Sequence, residues 1–175
     1  MNDTLQLESS VEVGRLVLLS PSAASTRALG ALVGRLLEPG EVVLLSGGLG
    51  AGKTTFTKGL VAALGSSEEV TSPTFTLLRT YASTPVVAHV DCWRLEDLNE
   101  VVDLALEEVL DEGGIVVVEW GEAAAPLLGA EALVVTISDP GELCGSARRV
   151  ELCDPSGRFR ERLAALAPRL ARVGR

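Results

Sequence analysis

Positive charge is scarce in this chain of 175 residues. Fifteen Lys and Arg side chains stand against 24 Asp and Glu, which gives a formal net charge of −9 and an isoelectric point near 4.7. Proteins that bind nucleic acid by releasing counterions from its phosphates need clustered Lys and Arg. We therefore expect no direct binding of RNA or DNA, and any role in RNA metabolism would need a partner that holds the RNA.

Metal-binding and disulfide-forming side chains are also few. Cys92, Cys144 and Cys153 are odd in number and lack C-x-x-C spacing, and His89 is the single histidine. This pattern supports neither a disulfide framework nor a zinc site, and it is typical of a protein from a reducing cytoplasm.

Long apolar runs are absent as well. No segment approaches the roughly 20 apolar residues that span a bilayer, and an N-terminus with Asp3 and Glu8 is unlike a signal peptide. We expect a soluble, cytoplasmic protein with no membrane contact. The length and the 47% hydrophobic content predict one domain over residues 1–175, with a core over about 15–170 and less ordered ends.

A phosphate-binding loop is the most informative motif that the chain does contain. Residues 47–54 read G-x-x-x-x-G-K-[ST] and follow the apolar run 42–45. Glycines let several backbone N–H groups point inward, and the dipole of the following helix adds positive potential at the same place. Lys53 can reach the β- and γ-phosphates of a nucleotide, and the Thr54 hydroxyl can bind a magnesium ion. A tight strand-to-helix turn without a ligand is the alternative.

The phosphate loop identifies candidate nucleotide contacts, and the small number of lysines indicates which base the nucleotide carries. Lys53 and Lys58 are the only lysines, so the chain has no Asn-Lys-x-Asp motif for reading guanine, and ATP is the expected nucleotide. The predicted nucleotide contacts are Gly47, Gly48, Leu49, Gly50, Ala51, Gly52, Lys53, Thr54 and Thr55.

The order of periodic segments predicts an α/β fold of the P-loop NTPase type, with three layers around a central mixed, largely parallel sheet. A strand near 17–19 and the cap Ser20-Pro21-Ser22 precede a helix to about residue 37, and a second helix after the loop stops at Gly65. The remaining segments are predicted as strands over 75–81, 86–91, 115–118, 133–137 and 149–152, and as helices over 98–110 and 159–170.

Two apolar strands run into acids, Asp91 and Glu119. Ligands of open α/β sheets lie outside the carboxyl ends of the strands, so both carboxylates are expected to face the phosphate loop. Asp91 would hold magnesium opposite Thr54, and Glu119 would complete the metal shell or orient the attacking water. Alternatively, each acid only marks where a strand reaches solvent.

The segment 71–76 is rich in hydroxyl groups, and Thr74 is the predicted sensor of the γ-phosphate, although a plain turn would use the same residue types. The predicted catalytic residues are thus Lys53, Thr74, Asp91 and Glu119. His89 alternates with apolar neighbours and is expected to be a core histidine. Trp93 and Trp120 follow the two acids, where they could pack against the site or stand exposed for a partner.

These motifs together resemble the TsaE (YjeE) family. The resemblance spans about residues 20–153 and rests on the phosphate loop, the Ser-Pro-Thr-Phe-Thr-Leu segment (72–77), the segment His-Val-Asp-Cys-Trp-Arg (89–94) and the Glu-Trp pair (119–120). It implies a small bacterial ATPase of the pathway that makes threonylcarbamoyladenosine at position 37 of tRNA. It further implies weak magnesium-dependent ATP hydrolysis, docking on a heterodimer of the proteins TsaB and TsaD, and only indirect contact with tRNA.

The resemblance also implies metal contacts at Thr54, Asp91 and Glu119, and further nucleotide contacts at Ala23 and Gly145. Three positions depart from the family pattern. Gly48 stands where Asp is usual, Trp93 where Tyr is usual, and Ala105 where Gly is common. The first departure removes a carboxylate near the phosphates, and the other two are interpreted as packing changes.

Two other functions remain open at this stage. A P-loop small-molecule kinase would need an acceptor pocket and an arginine-bearing lid, for which the pair Arg148 and Arg149 is the candidate. A nucleotide-gated binding module would use ATP only to set an interface, and its turnover would be incidental.

Overall fold

The computed structural model describes residues 4–12, 14–95, 97–141 and 146–173. Within these ranges the chain forms eight strands, six α-helices and one short 3₁₀ turn. The strands are β1 Gln6–Glu12, β2 Arg15–Ser20, β3 Val42–Ser46, β4 Leu78–Tyr81, β5 Val87–Asp91, β6 Ile115–Glu119, β7 Leu133–Ser138 and β8 Arg148–Cys153. The helices are α1 Ala23–Gly34, α2 Lys53–Ala63, α3 Leu98–Val102, α4 Leu106–Asp111, α5 Ala125–Leu128 and α6 Arg160–Val173.

All eight strands belong to one mixed sheet with the order β1-β2-β8-β7-β3-β6-β5-β4. The four central strands, β7, β3, β6 and β5, are parallel, and antiparallel strands flank them on both sides. Parallel strands buried on both faces are continuously apolar, and the runs 42–45 and 115–118 have this character. The predicted α/β fold with its mixed sheet is confirmed.

Alternating residues of the central strands divide the core between two faces. Val43 and Leu45 pack with the apolar residues of α1, α2 and α6, whereas Val42 and Leu44 pack with those of α3, α4 and the segment around Ala124. Because successive side chains of a strand point to opposite faces, a fully apolar strand requires a helical layer on each side. The result is the three-layer arrangement that the sequence predicts.

Helix α1 begins at the predicted cap and ends earlier than predicted. The Ser22 hydroxyl accepts a hydrogen bond from the Ser25 backbone N–H, and the Ser25 hydroxyl accepts one from the Ser22 N–H, which together form a capping box. The helix ends at Gly34, three residues before the predicted end, because the chain tightens there into a turn. A Cβ atom on Gly30 would lie 2.0 Å from the Phe56 carbonyl oxygen, so this glycine lets α1 pack directly on α2.

The predicted helix over 98–110 is wrong in one respect, because the structure breaks it into α3 and α4. Ala105 lies between them with a φ of 50°, in the left-handed region. Val101 and Leu106, on the two sides of the break, still pack in the same core cluster. Periodicity therefore identified the buried residues and did not reveal the backbone break between them.

Two further strand boundaries differ from prediction. Residues 75–77 form a turn in which the N–H groups of Thr76 and Leu77 both donate to the Pro73 carbonyl, so β4 begins only at Leu78. Strand β1 has no predicted counterpart, and it adds to the sheet edge by antiparallel pairing with β2. Of the helices in the described part of the chain, none has the length and apolar character needed to cross a membrane.

Candidate functional site

The phosphate loop connects the carboxyl end of β3 with the start of α2. Gly47, Gly50 and Gly52 have φ angles of 143°, 72° and 112°, which favour glycine over any other residue. At Gly47 a Cβ atom would also lie 2.2 Å from the Ile137 carbonyl oxygen of β7. Among the described residues no side chain caps the first turn of α2. The N–H groups and positive dipole end of this helix are therefore available to an anion.

Lys53 is folded back into the loop that it follows. Its Nζ donates to the carbonyl oxygens of Gly47 at 2.6 Å and Gly48 at 3.0 Å, and it lies 3.7 Å from the ring centroid of Trp120. Burial lowers the pKa of Lys53, and the negative charges of Glu119, Glu122 and Asp91 partly oppose this change. The ammonium group is thus held beside the loop by two backbone carbonyl oxygens and an aromatic ring.

Glu119 is adjacent to this loop and contacts Thr54 directly. The Thr54 hydroxyl donates to Glu119 Oε2 at 3.0 Å. The sequence places Asp91 opposite Thr54, but in the structure the hydrogen-bonded carboxylate is Glu119. Asp91 and Glu119 are register partners in the β5–β6 pair, so the two strand-ending acids lie side by side at one edge of the sheet, as expected.

Asp91 is bound by the hydroxyl-rich segment. Its Oδ2 accepts hydrogen bonds from Ser72 Oγ at 2.5 Å and from Thr74 Oγ1 at 2.6 Å, and its Oδ1 accepts one from the Trp93 backbone N–H at 3.0 Å. Thr74 therefore lies at the site, and its role as a sensor of the γ-phosphate stays a prediction. Ser72 is a site residue that the sequence reasoning did not single out, although its membership of the same hydroxyl-rich segment was a usable signal.

His89 has a second role beyond the core position that its neighbours predict. It is fully buried, and its Nε2 lies 2.9 Å from Glu119 Oε1. Its Nδ1 has no hydrogen-bond partner in the described structure. The contact with Glu119 is therefore the single hydrogen bond of this ring among the described residues. The missed signal was strand alternation, because His89 lies two residues before Asp91 on the same face of β5.

Aromatic and apolar side chains surround the mouth of the site. The Trp93 and Trp120 rings have centroids 4.2 Å apart, and Trp120 has a φ of 59°, a left-handed conformation that is rare for a bulky residue. Trp93 is 47% exposed, and both Leu49 and Phe75 are 85% exposed. The tryptophans therefore pack at the site, and one of them also stands open to solvent.

One cavity of about 250 Å³ brings these elements together. Its lining consists of Leu49, Gly50, Ala51, Gly52, Lys53, Thr54, Ser72, Thr74, Asp91, Trp93, Glu119 and Trp120. The lining does not include the predicted contacts Gly47, Gly48, Thr55 or Ala23, although Thr26 of the first turn of α1 approaches Gly52. Gly145, the other predicted contact, lies outside the described residues.

The cavity contains oxygen donors suited to a hard cation. Thr54, Asp91 and Glu119 contribute one hydroxyl and two carboxylates. No group of three His, Cys, Asp or Glu side chains that could hold a metal occurs among the residues described. Mg²⁺ commonly binds through one or two carboxylates and completes its shell with water and phosphate oxygens, so this donor set fits it. The arrangement can bind a phosphorylated ligand beside a divalent cation.

The structure revises the interpretation of one departure from the family pattern. Ala105, read from the sequence as a packing change, is a backbone feature, because its left-handed φ of 50° is a conformation that glycine adopts without strain. Trp93 stacks on Trp120, which agrees with a change in packing. Gly48 is exposed, with open space where a side chain would stand.

Comparison with known proteins yields a consistent set of relatives. The family model for "Threonylcarbamoyl adenosine biosynthesis protein TsaE" matches residues 20–149. The Treponema pallidum protein named tRNA threonylcarbamoyladenosine biosynthesis protein TsaE is 44% identical over 119 residues, which are 68% of this chain and 88% of the relative. The Bacillus subtilis protein of the same name is 40% identical over 67% of this chain and 73% of its own length. The crystal structure of Bacillus subtilis YdiB superposes with a TM-score of 0.72 and 29% identity, covering 95% of this chain and all of that one.

Proposed function

Because this chain belongs to the TsaE family, we propose that it is a magnesium-dependent ATPase that supports threonylcarbamoyladenosine formation on tRNA. In this proposal it acts by docking on a TsaB–TsaD heterodimer and contacts tRNA only indirectly. The observation that carries the ATPase assignment is the convergence of a phosphate loop, Lys53, Thr54 and the paired acids Asp91 and Glu119 on one cavity.

Each residue has a role that follows from its position. The uncapped start of α2 binds the phosphate chain through backbone N–H groups, and Lys53 exchanges its contacts with the Gly47 and Gly48 carbonyls for phosphate oxygens. A magnesium ion held by Thr54, Asp91 and Glu119 would neutralise charge that develops on the phosphates.

In this proposal Glu119 positions the attacking water, and Asp91 together with Thr74 senses the terminal phosphate. Glu119 is oriented by Thr54 on one oxygen and by His89 on the other, so its carboxylate plane is held from two sides. A carboxylate held in this way can accept a hydrogen bond from the attacking water and keep it in line. Thr74 shares Asp91 with Ser72, so a phosphate that displaces the Thr74 hydroxyl would move the exposed segment that carries Phe75.

Docking near this site is supported by the exposed apolar side chains at its mouth. Leu49 and Phe75 are largely exposed, and the Arg94 guanidinium lies 5.0 Å from the Phe75 ring centroid. Leu49 belongs to the phosphate loop and Phe75 to the segment bound to Asp91. A partner that covers both residues would therefore contact the two segments that a bound nucleotide rearranges.

The kinase alternative finds little support in the structure. Its candidate lid, Arg148 and Arg149, forms the first residues of β8 and pairs in register with Ser20 and Leu19 of β2. A residue in a strand paired on both sides is poorly suited to close over a substrate. The binding-module alternative differs from the main proposal only in whether turnover matters, so kinetics must separate them.

The test is release of inorganic phosphate from ATP, with water as the sole acceptor, in the presence and absence of the TsaB–TsaD heterodimer. We expect slow release alone, faster release with the heterodimer, and ATP preferred over GTP. Lys53→Ala should nearly abolish turnover, whereas Lys58→Ala, which removes the other lysine of α2, should leave it unchanged. Turnover by folded Lys53→Ala at the rate of the unmodified protein would refute the phosphate-loop assignment.

A further inference from the structure

A second cavity lies on the layer formed by α3, α4 and α5, away from the phosphate loop. It has a volume of about 180 Å³ and an apolar wall, and we call it the α3–α5 groove. Its lining consists of Val101, Val102, Ala105, Leu106, Glu107, Glu108, Leu127 and Leu128. Val102 is 57% exposed and Leu127 is 44% exposed, and Leu98, one helical turn before Val102, is 39% exposed. The groove and the cavity at the phosphate loop share no lining residue.

The rim of the groove carries an excess of negative charge. Glu107 and Glu108 line the groove, and Asp111 and Glu112 follow one turn later. None of these four acids forms an ion pair with a described residue. The sequence contains no Lys or Arg between Arg94 and Arg148, so no neighbour on this layer can neutralise them.

Part of this charge pattern is unfavourable for α4 by itself. Glu107 and Asp111, and likewise Glu108 and Glu112, are spaced i and i+4, where like charges on a helix repel each other. Asp111 and Glu112 also lie at the negative end of the helix dipole. A positively charged ligand would relieve both effects, so the pattern favours a basic occupant.

We propose that the α3–α5 groove docks a basic amphipathic helix of a partner protein. One apolar side chain of that helix fills the cavity between Val102 and Leu127, and flanking Lys or Arg side chains contact the acids Glu107, Glu108, Asp111 and Glu112. The match combines apolar burial, which supplies affinity, with charge complementarity, which supplies specificity and orientation. RNA does not fit this groove, because its phosphates carry the same sign of charge as the rim.

A second copy of this chain is a poor occupant for two reasons. The net charge of −9 opposes self-association through an acidic surface. The helix with the most arginines in the described part of the chain is α6, and its apolar residues Leu163 and Leu166 are buried in the core. That helix cannot present an apolar face to another molecule without leaving its own fold.

The test uses full-length protein and a fluorescein-labelled Leu/Lys peptide of about 18 residues, long enough to form an amphipathic helix. A Leu/Glu peptide with the same apolar face is the control ligand, and fluorescence anisotropy reports binding. We expect the Leu/Lys peptide to bind and the Leu/Glu peptide not to bind. Glu107→Lys combined with Glu108→Lys should raise the Kd by about tenfold or more, the scale of losing two close charge pairs.

Two matched variants make the result specific to the groove. Glu69→Lys combined with Glu161→Lys changes the net charge equally on exposed residues elsewhere and should alter the Kd by less than about twofold at 0.15 M salt, where distant surface charges are screened. Leu127→Ser removes apolar surface without changing charge and should also weaken binding. Circular dichroism checks that each variant is folded.

Three outcomes would overturn the proposal. The first is an equal loss of affinity in both double charge variants, which would indicate unspecific attraction. The second is unchanged binding in Leu127→Ser, which would show that the apolar wall is not used. The third is concentration-dependent self-association that Leu127→Ser abolishes, which would assign the groove to a second copy of the chain. None of these outcomes depends on nucleotide hydrolysis.

Discussion

Glu119 contacts two residues that are far from it in the chain. Thr54 comes from the helix after the phosphate loop, His89 from β5, and Glu119 itself from the end of β6. Glu119 and Asp91 are both almost fully buried, yet both line the cavity. A buried carboxylate is stable only when hydrogen bonds or cations compensate its charge. At the scale of single residues, the site is thus a pair of acids held by hydroxyl and imidazole donors.

Removing either acid should slow hydrolysis without unfolding the protein. Asp91→Ala and Glu119→Ala are each expected to lower magnesium-dependent ATP turnover by about 10²-fold or more, the scale of losing one group that acts in the transition state. Phosphate release at saturating magnesium measures the effect. Glu122→Ala, which removes an exposed neighbouring acid outside the cavity lining, is the control and should retain turnover. Normal turnover in Asp91→Ala or Glu119→Ala would show that the substituted residue takes no part in hydrolysis and only marks the end of its strand.

His89 is expected to act by positioning Glu119. His89→Leu removes the Nε2 donor and should lower kcat by about tenfold, the scale of one catalytic group left poorly oriented, while KM for ATP changes little. His89→Gln keeps an N–H donor and should restore most of kcat. Steady-state kinetics of both variants and their Tm values make the measurement. Equal kcat losses in the two variants, accompanied by equal drops in Tm, would indicate a purely structural role.

At the scale of elements, backbone strain is concentrated in three connections. Leu77, Ala105 and Trp120 are the non-glycine residues with positive φ in the described chain. Leu77 ends the segment that binds Asp91, and Trp120 directly follows Glu119, so two of the three border the site. Strained residues of this kind persist only where the surrounding structure holds them. Ala105 instead separates α3 from α4 and lines the groove.

Ala105→Gly should stabilise the fold. A left-handed conformation costs an L-residue about 1–2 kcal/mol, and the greater chain entropy of glycine offsets about 0.5–1 kcal/mol of that gain. For a chain of this length we expect a rise in Tm of about 2–4 °C per kcal/mol of net stabilisation. Thermal unfolding followed by circular dichroism gives the measurement.

The matched control for this change is Ala28→Gly, at an exposed position inside α1. There the backbone is helical, so glycine should lower stability by about 1 kcal/mol. A decrease in Tm for Ala105→Gly as well as for Ala28→Gly would contradict the inference that the backbone is strained at Ala105.

At the scale of the whole molecule, charge and exposed apolar surface are unevenly distributed. The span between Arg94 and Arg148 has no cation, and it carries the α3–α5 groove, whereas the exposed Leu49, Phe75 and Trp93 surround the phosphate loop. Within the described ranges the chain therefore has at least these two separate apolar surfaces. Only the one at the phosphate loop shares residues with the segments that a nucleotide would move.

Docking on the TsaB–TsaD heterodimer should depend on the bound nucleotide. Coupling between two sites is reciprocal and typically amounts to about 5–150-fold in affinity, so we expect the Kd to differ at least fivefold between a nonhydrolysable ATP analogue and ADP. Calorimetry against the heterodimer in each nucleotide measures it, and Lys53→Ala should abolish the difference. If the affinity for the heterodimer is identical with the ATP analogue, with ADP and without nucleotide, the nucleotide does not control docking.

The same acidic balance predicts the behaviour toward tRNA. The purified protein alone should show no salt-sensitive affinity for tRNA, because a chain with a net charge of −9 lacks the cations that release phosphate counterions. Filter binding at low and high salt tests this. Tight binding without partners would overturn the division of labour in the proposed function.

Local sequence determined the features that depend on neighbours in the chain. The phosphate loop is a contiguous motif, the Ser22 cap acts within one helical turn, and the apolar strands ending in Asp91 and Glu119 are read from one short run each. Glycine conformations, caps and strand periodicity are all set within a few residues. For this reason the fold class and the principal candidate residues of the site could be predicted.

Tertiary structure decided the features that depend on which distant residues meet. The contacts of Glu119 with Thr54 and His89 join residues 65 and 30 positions apart, and no spacing rule relates them. The backbone break at Ala105 interrupts the predicted helix, although Val101 and Leu106 on its two sides still pack in one core cluster. Strand β1 forms because β2 offers an edge to pair with. Register, burial and packing are properties of the assembled sheet, so they follow from the order of its strands and from no single segment of the chain.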